Sequence, residues 1–357
     1  MKVLDLPTPA LIADADIISD NMRQMAELLR GSSLKLRPHY KSHKCAALAH
    51  RQIASGAIGM TCAKLSEAED LIFSGIDDVL LANQVTDPEK IARLAWLARL
   101  CRLTVCVDNA ENAMALSRAA GYAGSTVHCL VEYDIGMKRC GLRTAEAYLD
   151  AAETVLRLPN LVYDGIQAYA GYASHTPSES ERESMTRENE NRVAALRNAL
   201  RKRGIGVRTI SGGSTGTAAF KASGGVYTEL QAGSYLFLDS TYAQLSLPFR
   251  NSLYVLSSVV SRNEDAVILD AGVKSLGADQ DDPVLLDRQG RRIPGRCELN
   301  EEHLKLYDSP WKPVLGEKAL IIPGHCCSTV NLYDHLTLFH GDAVTERLEV
   351  SSRGKSQ

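Results

Sequence analysis

The chain has 357 residues, 40 basic against 43 acidic, and a net charge of -3. That length accommodates two domains, or one large α/β barrel with an addition, and either buries a substantial core. Mixed charge of this kind excludes the positive field of a nucleic-acid binder and points to a small-molecule partner.

The opening "MKVLDLPTPALIADADI" lacks the basic, apolar and small-residue segments of a secretion signal. No later run is long enough to cross a bilayer, so a cytoplasmic protein with no membrane partner is expected. Nine scattered cysteines, an odd number, do not form the framework of a disulfide-stapled domain and read as thiols, most of them buried.

In chain order, eight short apolar runs predict strands: "LKLRPHY", "IGMTCA", "DVLLAN", "LTVCVDN", "VHCLVEYD", "YDGIQAYAG", "VRTISGG" and "YTELQAGSY". The segments between them carry helix-entry signals. Ser66 and Glu69 are spaced as a capping box before a stop at Gly75, and Pro88 suits the first turn of the next helix. Eight alternating units within 14–246 predict a parallel (β/α)8 barrel, whose strand ends carry the reactive groups. The stretch from Ser178 to Arg203 is rich in Glu, Arg and Asn and reads as a solvated outer helix. Beyond residue 246 the pattern becomes alternating β runs, which with residues 1–13 predicts a second, antiparallel β domain over 247–357. Within it, "GADQDDPVLLDRQGRRIPGR" reads as an exposed loop with a hairpin.

Four stretches could carry chemistry. In "LRPHYKSHK", strand alternation would place His39, Lys41 and His43 on one face and Lys44 on the other. A lysine at a barrel strand end can lose its proton and condense with a carbonyl, although most lysines are simply solvated. "SGGSTGT", with Gly212, Gly213, Ser214, Thr215 and Gly216, can turn backbone N–H groups and hydroxyls toward an anion. A second glycine turn at Gly233, Ser234 and Tyr235 follows the eighth strand, and the last two barrel loops commonly bind phosphate. In "PGHCCSTVNLYDH", His325 and Cys327 could hold a metal ion from one turn, leaving positions for water or substrate; a buried thiol pair beside a structural histidine is the equal alternative. Arg139, Tyr169 and His175 follow the fifth and sixth strand runs, near the same barrel mouth, where His175 could transfer a proton.

Together these segments resemble the fold-type III pyridoxal-phosphate enzymes, the alanine racemase barrel, and within them the D-threonine aldolase and D-serine dehydratase group. "RPHYKSHK", "VEYDIGMKRCG", "SGGSTGT", "GVYTELQAGSYLFLD" and "PGHCCSTVNLYD" carry the resemblance, which runs nearly end to end. It implies that Lys41 joins pyridoxal 5'-phosphate as a Schiff base, that Arg139 faces the pyridine nitrogen, and that Tyr169 lies near the cofactor. It implies also that the 212–216 loop with Gly233 and Tyr235 holds the phosphate. An arginine that stays protonated cannot protonate the ring, so the cofactor is a weaker electron sink than one paired with a carboxylate.

The group holds a divalent ion by His-x-Asp in the aldolases and His-x-Cys in the dehydratases, on the face opposite the lysine. Here the pair is His325 and Cys327, while the surrounding residues resemble the aldolases. Cys327 favours zinc, with manganese, cobalt and magnesium open. The expected reaction is retro-aldol cleavage of a D-3-hydroxy amino acid to glycine and an aldehyde, with His175 as a candidate base. Dehydration to a 2-oxo acid and ammonia is the alternative. A non-catalytic cofactor carrier or an amino-acid racemase is a more distant reading, and a homodimer is implied by the family alone.

Overall fold

The computed structural model describes residues 1–357, which divide into two compact units. A barrel unit comprises Ala26–Lys41, Leu48–Gly233 and Lys355–Gln357; a β unit comprises Met1–Met25, Ser42–Ala47 and Ser234–Gly354.

After β1 (Ala10–Asp14), the barrel strands in chain order are β2 (Lys35–Leu36), β3 (Met60–Cys62), β4 (Asp78–Leu81), β5 (Arg102–Val107), β6 (Val127–Glu132), β7 (Leu161–Ala168), β8 (Thr209–Gly212) and β9 (Glu229–Leu230). They form one eight-stranded sheet in the order β2-β9-β8-β7-β6-β5-β4-β3, every pair parallel. A parallel bridge between His39 and Thr61 closes the ring. The eight expected strand runs are these eight strands. Helices cover their outer faces, which is why β5, "RLTVCV", is buried from its second residue to its last rather than alternating.

Local signals explain most helix limits. Asp87 caps Pro88–Leu97 by accepting from the Lys90 N–H, and Ser178 caps Glu179–Lys202 through the Glu181 N–H. The expected box at Ser66 and Glu69 is corrected. The helix is Leu65–Phe73, and it is Glu67 that reaches back to the N–H groups of Ala63 (2.8 Å) and Lys64 (3.2 Å). Ser66 Oγ instead donates to the Gln357 carbonyl, and Glu69 pairs with Arg93 on the next helix. Gly75, at φ +95°, ends the turn as expected.

The strand-start end of the barrel is closed by charge. Arg37 forks onto Glu229 (2.9 Å from both Nε and Nη2) and reaches Asp78 at 2.7 Å; Asp164 accepts from Arg102 at 2.5 Å and His128 at 2.7 Å. Burial alone would favour a neutral Arg37, but Glu229 and Asp78 outweigh it and raise its pKa.

In the β unit, β10 (Leu253–Arg262), β11 (Ala266–Leu269), β12 (Val284–Leu286), β13 (Arg296–Leu299), β14 (Leu304–Tyr307), β15 (Lys318–Ile322), β16 (His335–His340) and β17 (Ala343–Glu349) join β1 in a sheet. All pairings are antiparallel except β1 with β16. The polar stretch after residue 276 holds the expected hairpin, with Leu286 bridging Arg292, and its "VLL" segment adds β12 to the sheet.

Candidate active site

The C-terminal ends of the barrel strands enclose a solvent-open cavity of about 160 Å³. Its polar lining includes His39, Lys41, Asn83, Arg139, Gln167 and Tyr169. The alternation expected from His39 to His43 does not hold. Strand β2 is only two residues long, His39 N–H donates to the Ala232 carbonyl, and Tyr40–Ser42 is already a 3-10 turn. The turn leaves Lys41 exposed in the cavity. His43 and Lys44 are both buried in the β unit, Lys44 in the left-handed conformation at φ +49°.

Arg139 is set by the loop after β6. Asp134 accepts from the N–H groups of Gly136 (2.9 Å) and Lys138 (3.1 Å), folding the chain back on itself. Burial opposes that carboxylate's charge, but these N–H groups and Arg143 outweigh it and hold its pKa below the usual range. The Arg139 guanidinium lies 5.9 Å from the centre of the Tyr169 ring, a cation over an aromatic face. Beneath them is an amide pair that the sequence did not single out. Gln231, which also lines the cavity, donates to Gln167 Oε1 at 2.7 Å and to Ser211 Oγ at 2.9 Å. Glutamines in short apolar runs give no signal beyond strand membership. His175 ends the Gly171–His175 turn after β7, half-buried, and does not line this cavity.

Gly212 to Gly216 form a buried loop between β8 and a short turn at Thr215–Thr217. Ser214 N–H donates to Thr217 Oγ1, and Ser214 Oγ accepts from Ser174 at 2.6 Å. Three glycines are obligatory: Gly212 has φ +157°, and a Cβ on it would stand 2.0 Å from the Ala168 carbonyl oxygen. Gly213 has φ +77°, and a Cβ on Gly216 would stand 2.0 Å from the Ser174 carbonyl oxygen. A glycine loop of this kind, with its hydroxyls at Ser214, Thr215 and Thr217, is suited in composition to an anion such as phosphate. Gly233 ends the barrel unit; Ser234–Leu236 begins the β unit as a 3-10 turn, with the Tyr235 ring packed 5.7 Å from that of Phe249.

In the β unit, "HCCS" starts a short helix, Cys326–Val330. His325 Nδ1 is 2.7 Å from Asp279 Oδ2, and Asp279 Oδ1 accepts from Ser328 Oγ at 2.5 Å. Burial works against charge on His325, but its contacts with Cys327 and Asp279 outweigh burial and raise its pKa to about 9. With Nδ1 committed to a carboxylate, Nε2 is the nitrogen left for a ligand, an orientation typical of metal-bound histidine. Cys326 points inward: it is fully buried, its N–H donates to Asp239, and its thiol contacts Ser234. Its sulfur is 3.9 Å from that of Cys327, and the chain has no disulfide. No group of three or more His, Cys, Asp and Glu side chains is arranged to enclose an ion, so this turn closes no cage.

Comparison with known proteins agrees with this geometry. Residues 13–241 match the family model described as the alanine racemase N-terminal domain, and residues 252–339 match a putative serine dehydratase domain. The chain is 39% identical to a D-threonine aldolase of Arthrobacter sp, over 98% of this chain and 93% of that protein. It is 34% identical to a 3-hydroxy-D-aspartate aldolase of Paracoccus denitrificans (strain Pd 1222), over 99% and 94%. The crystal structure of D-threonine aldolase from Filomicrobium marinum superposes with a TM-score of 0.95 at 37% identity, covering 100% of this chain and 98% of that one. The chain therefore belongs to the fold-type III, alanine racemase-like family of pyridoxal-phosphate enzymes, in its D-threonine aldolase-like branch.

Proposed function

We propose that this chain is a pyridoxal-phosphate- and divalent-metal-dependent lyase that cleaves a D-3-hydroxy amino acid, of which D-threonine is the type, to glycine and an aldehyde. The observation that carries it is the cavity joining Lys41, Arg139 and Tyr169 at the strand ends, in a chain aligned over almost its whole length with a D-threonine aldolase.

The residues fit the cofactor. Lys41 supplies an exposed amine, the glycine loop supplies N–H groups for the phosphate, and Arg139 offers a permanent cation to the ring nitrogen. When bound, pyridoxal phosphate supplies the electron sink for the pair released from the broken Cα–Cβ bond. Arg139, steadied against the Tyr169 face, would keep a proton off a ring nitrogen held beside it. Lys41 would hold the cofactor and, once released, would be a free amine able to hold a proton. His175, outside the cavity lining, would have to act on the 3-hydroxyl from the turn after β7 to serve as the base.

His325 Nε2 and Cys327 Sγ fit a two-ligand ion, with Asp279 fixing the histidine. A divalent ion there supplies Lewis acidity to the substrate hydroxyl. Zinc suits the thiolate best, with manganese, cobalt and magnesium as alternatives.

One observation favours a second reading. The His325–Cys327 pair, rather than a histidine and aspartate, lies within the segment matching the serine dehydratase domain. In dehydration, Lys41 would take the Cα proton and the hydroxyl would leave, giving a 2-oxo acid and ammonia. The primary test is D-threonine with cofactor and metal supplied. Glycine released by the native protein and not by Lys41→Ala supports the lyase, and no turnover of any D-3-hydroxy amino acid rejects it.

A further inference from the structure

Behind the glycine loop lies a charged cluster that none of these roles uses. Lys221, on the short helix Ala218–Ala222, is 6% exposed and lies 3.6 Å from Glu190, itself 5% exposed on the long outer helix. Its ammonium stands 3.3 Å from the centre of the Tyr227 ring, and Tyr227 donates to the carbonyl of Ala168, the residue before Tyr169. The lysine stem runs directly beneath the loop: a Cβ on Gly213 would meet Lys221 Cδ at 2.7 Å and Cε at 2.9 Å. A small chamber beside it is lined by Gly213, Thr217, Asn189 and Lys221, and the buried Asn189 Nδ2 has no hydrogen-bond partner there.

A buried Lys–Glu pair is a poor device for stability alone, because desolvation offsets most of its attraction and an apolar side chain would fill the space as well. The location gives the charge a use. We propose that Lys221 is a positioning residue for the cofactor phosphate: its stem lies beneath Gly213, and its ammonium, shared with Glu190, supplies positive charge behind a loop that otherwise offers only N–H dipoles. It thereby selects phosphorylated over unphosphorylated pyridoxal. The inference rests on reading Gly212–Gly216 as the phosphate cradle.

Burial pushes the Lys221 pKa down to about 8, against the pull of Glu190 and with the help of Arg187; Tyr227 and Tyr172 are the other titratable groups around the cluster. The charge is therefore present below that value and lost above it. The test compares dissociation constants for pyridoxal phosphate and for pyridoxal, since their ratio cancels the titration of Lys41. In Lys221→Met the preference for the phosphorylated form falls about tenfold, as expected for a unit charge at short range in a partly buried site; Lys221→Arg restores it. In the native protein the same preference declines as pH rises through about 8, whereas Lys221→Met shows no decline. A native preference that is flat with pH, or a Lys221→Met protein that keeps both the preference and its decline, overturns the proposal. Gly216→Val separates the two levels: if it too leaves the preference intact, the cradle reading has failed, and if it alone abolishes it, only the role of Lys221 has.

Discussion

Lys41 and Lys44 lie three residues apart, yet one stands exposed in the barrel cavity and the other is buried in the β unit at a positive φ. Their exchange by alanine should therefore separate cleanly. Lys41→Ala is expected to lose the visible absorption of the bound cofactor and all turnover, and Lys44→Ala to keep the absorption; the reverse pattern would move the cofactor lysine. At the other site, His325→Ala or Cys327→Ala should reduce metal content and activity while sparing the cofactor absorption, read by elemental analysis beside the spectrum. Loss of the outer carboxylate in Asp279→Ala should cost about 10–100-fold in metal affinity, the usual effect of freeing a ligating histidine. Asp279 was not legible in the sequence. It lies in a polar run, "GADQDD", with no periodicity to mark one acid among three, and only the folded chain brings it 2.7 Å from a histidine 46 residues later.

Among elements, the barrel strands were legible because helices cover their outer faces, so each reads as a short uninterrupted hydrophobic stretch between capped helices. Side-chain direction was not legible at β2. Two ladder residues and a bridge at His39 are all that the closure requires, so the alternation assumed through residue 43 stops where the 3-10 turn begins. The charged closure at the strand starts also escaped notice, since its members come from five strands. Arg37→Met leaves Glu229 and Asp78 facing each other with little compensation and should cost about 3–5 kcal/mol in a denaturant unfolding curve. Asp164 gives the same end of the barrel an acid limit. Burial opposes its charge, but His128, Arg102 and Arg208 outweigh it and hold its pKa below the usual value. Its contribution is thus complete above the ordinary carboxylate range and lost as pH falls through the depressed folded value. The melting temperature of the native protein should fall faster on acidification than that of Asp164→Asn; parallel curves would deny the carboxylate this role.

Across the whole molecule, the cavity lysine belongs to the barrel unit and the His325 turn to the β unit, and their contributions can be told apart in solution. Chelation should abolish activity and leave the cofactor absorption; activity surviving exhaustive chelation would remove His325 and Cys327 from a metal role. No helix is long and apolar enough to cross a membrane. The family resemblance also leads us to expect a homodimer, which sedimentation tests. What the sequence could not settle is the bond that breaks, because the same lysine, cation and two-ligand turn serve both cleavage and dehydration. The most direct measurement is the product partition from D-threonine with cofactor and metal supplied: glycine with acetaldehyde in equal amounts is the predicted result, and dominant 2-oxobutanoate with ammonia would contradict it.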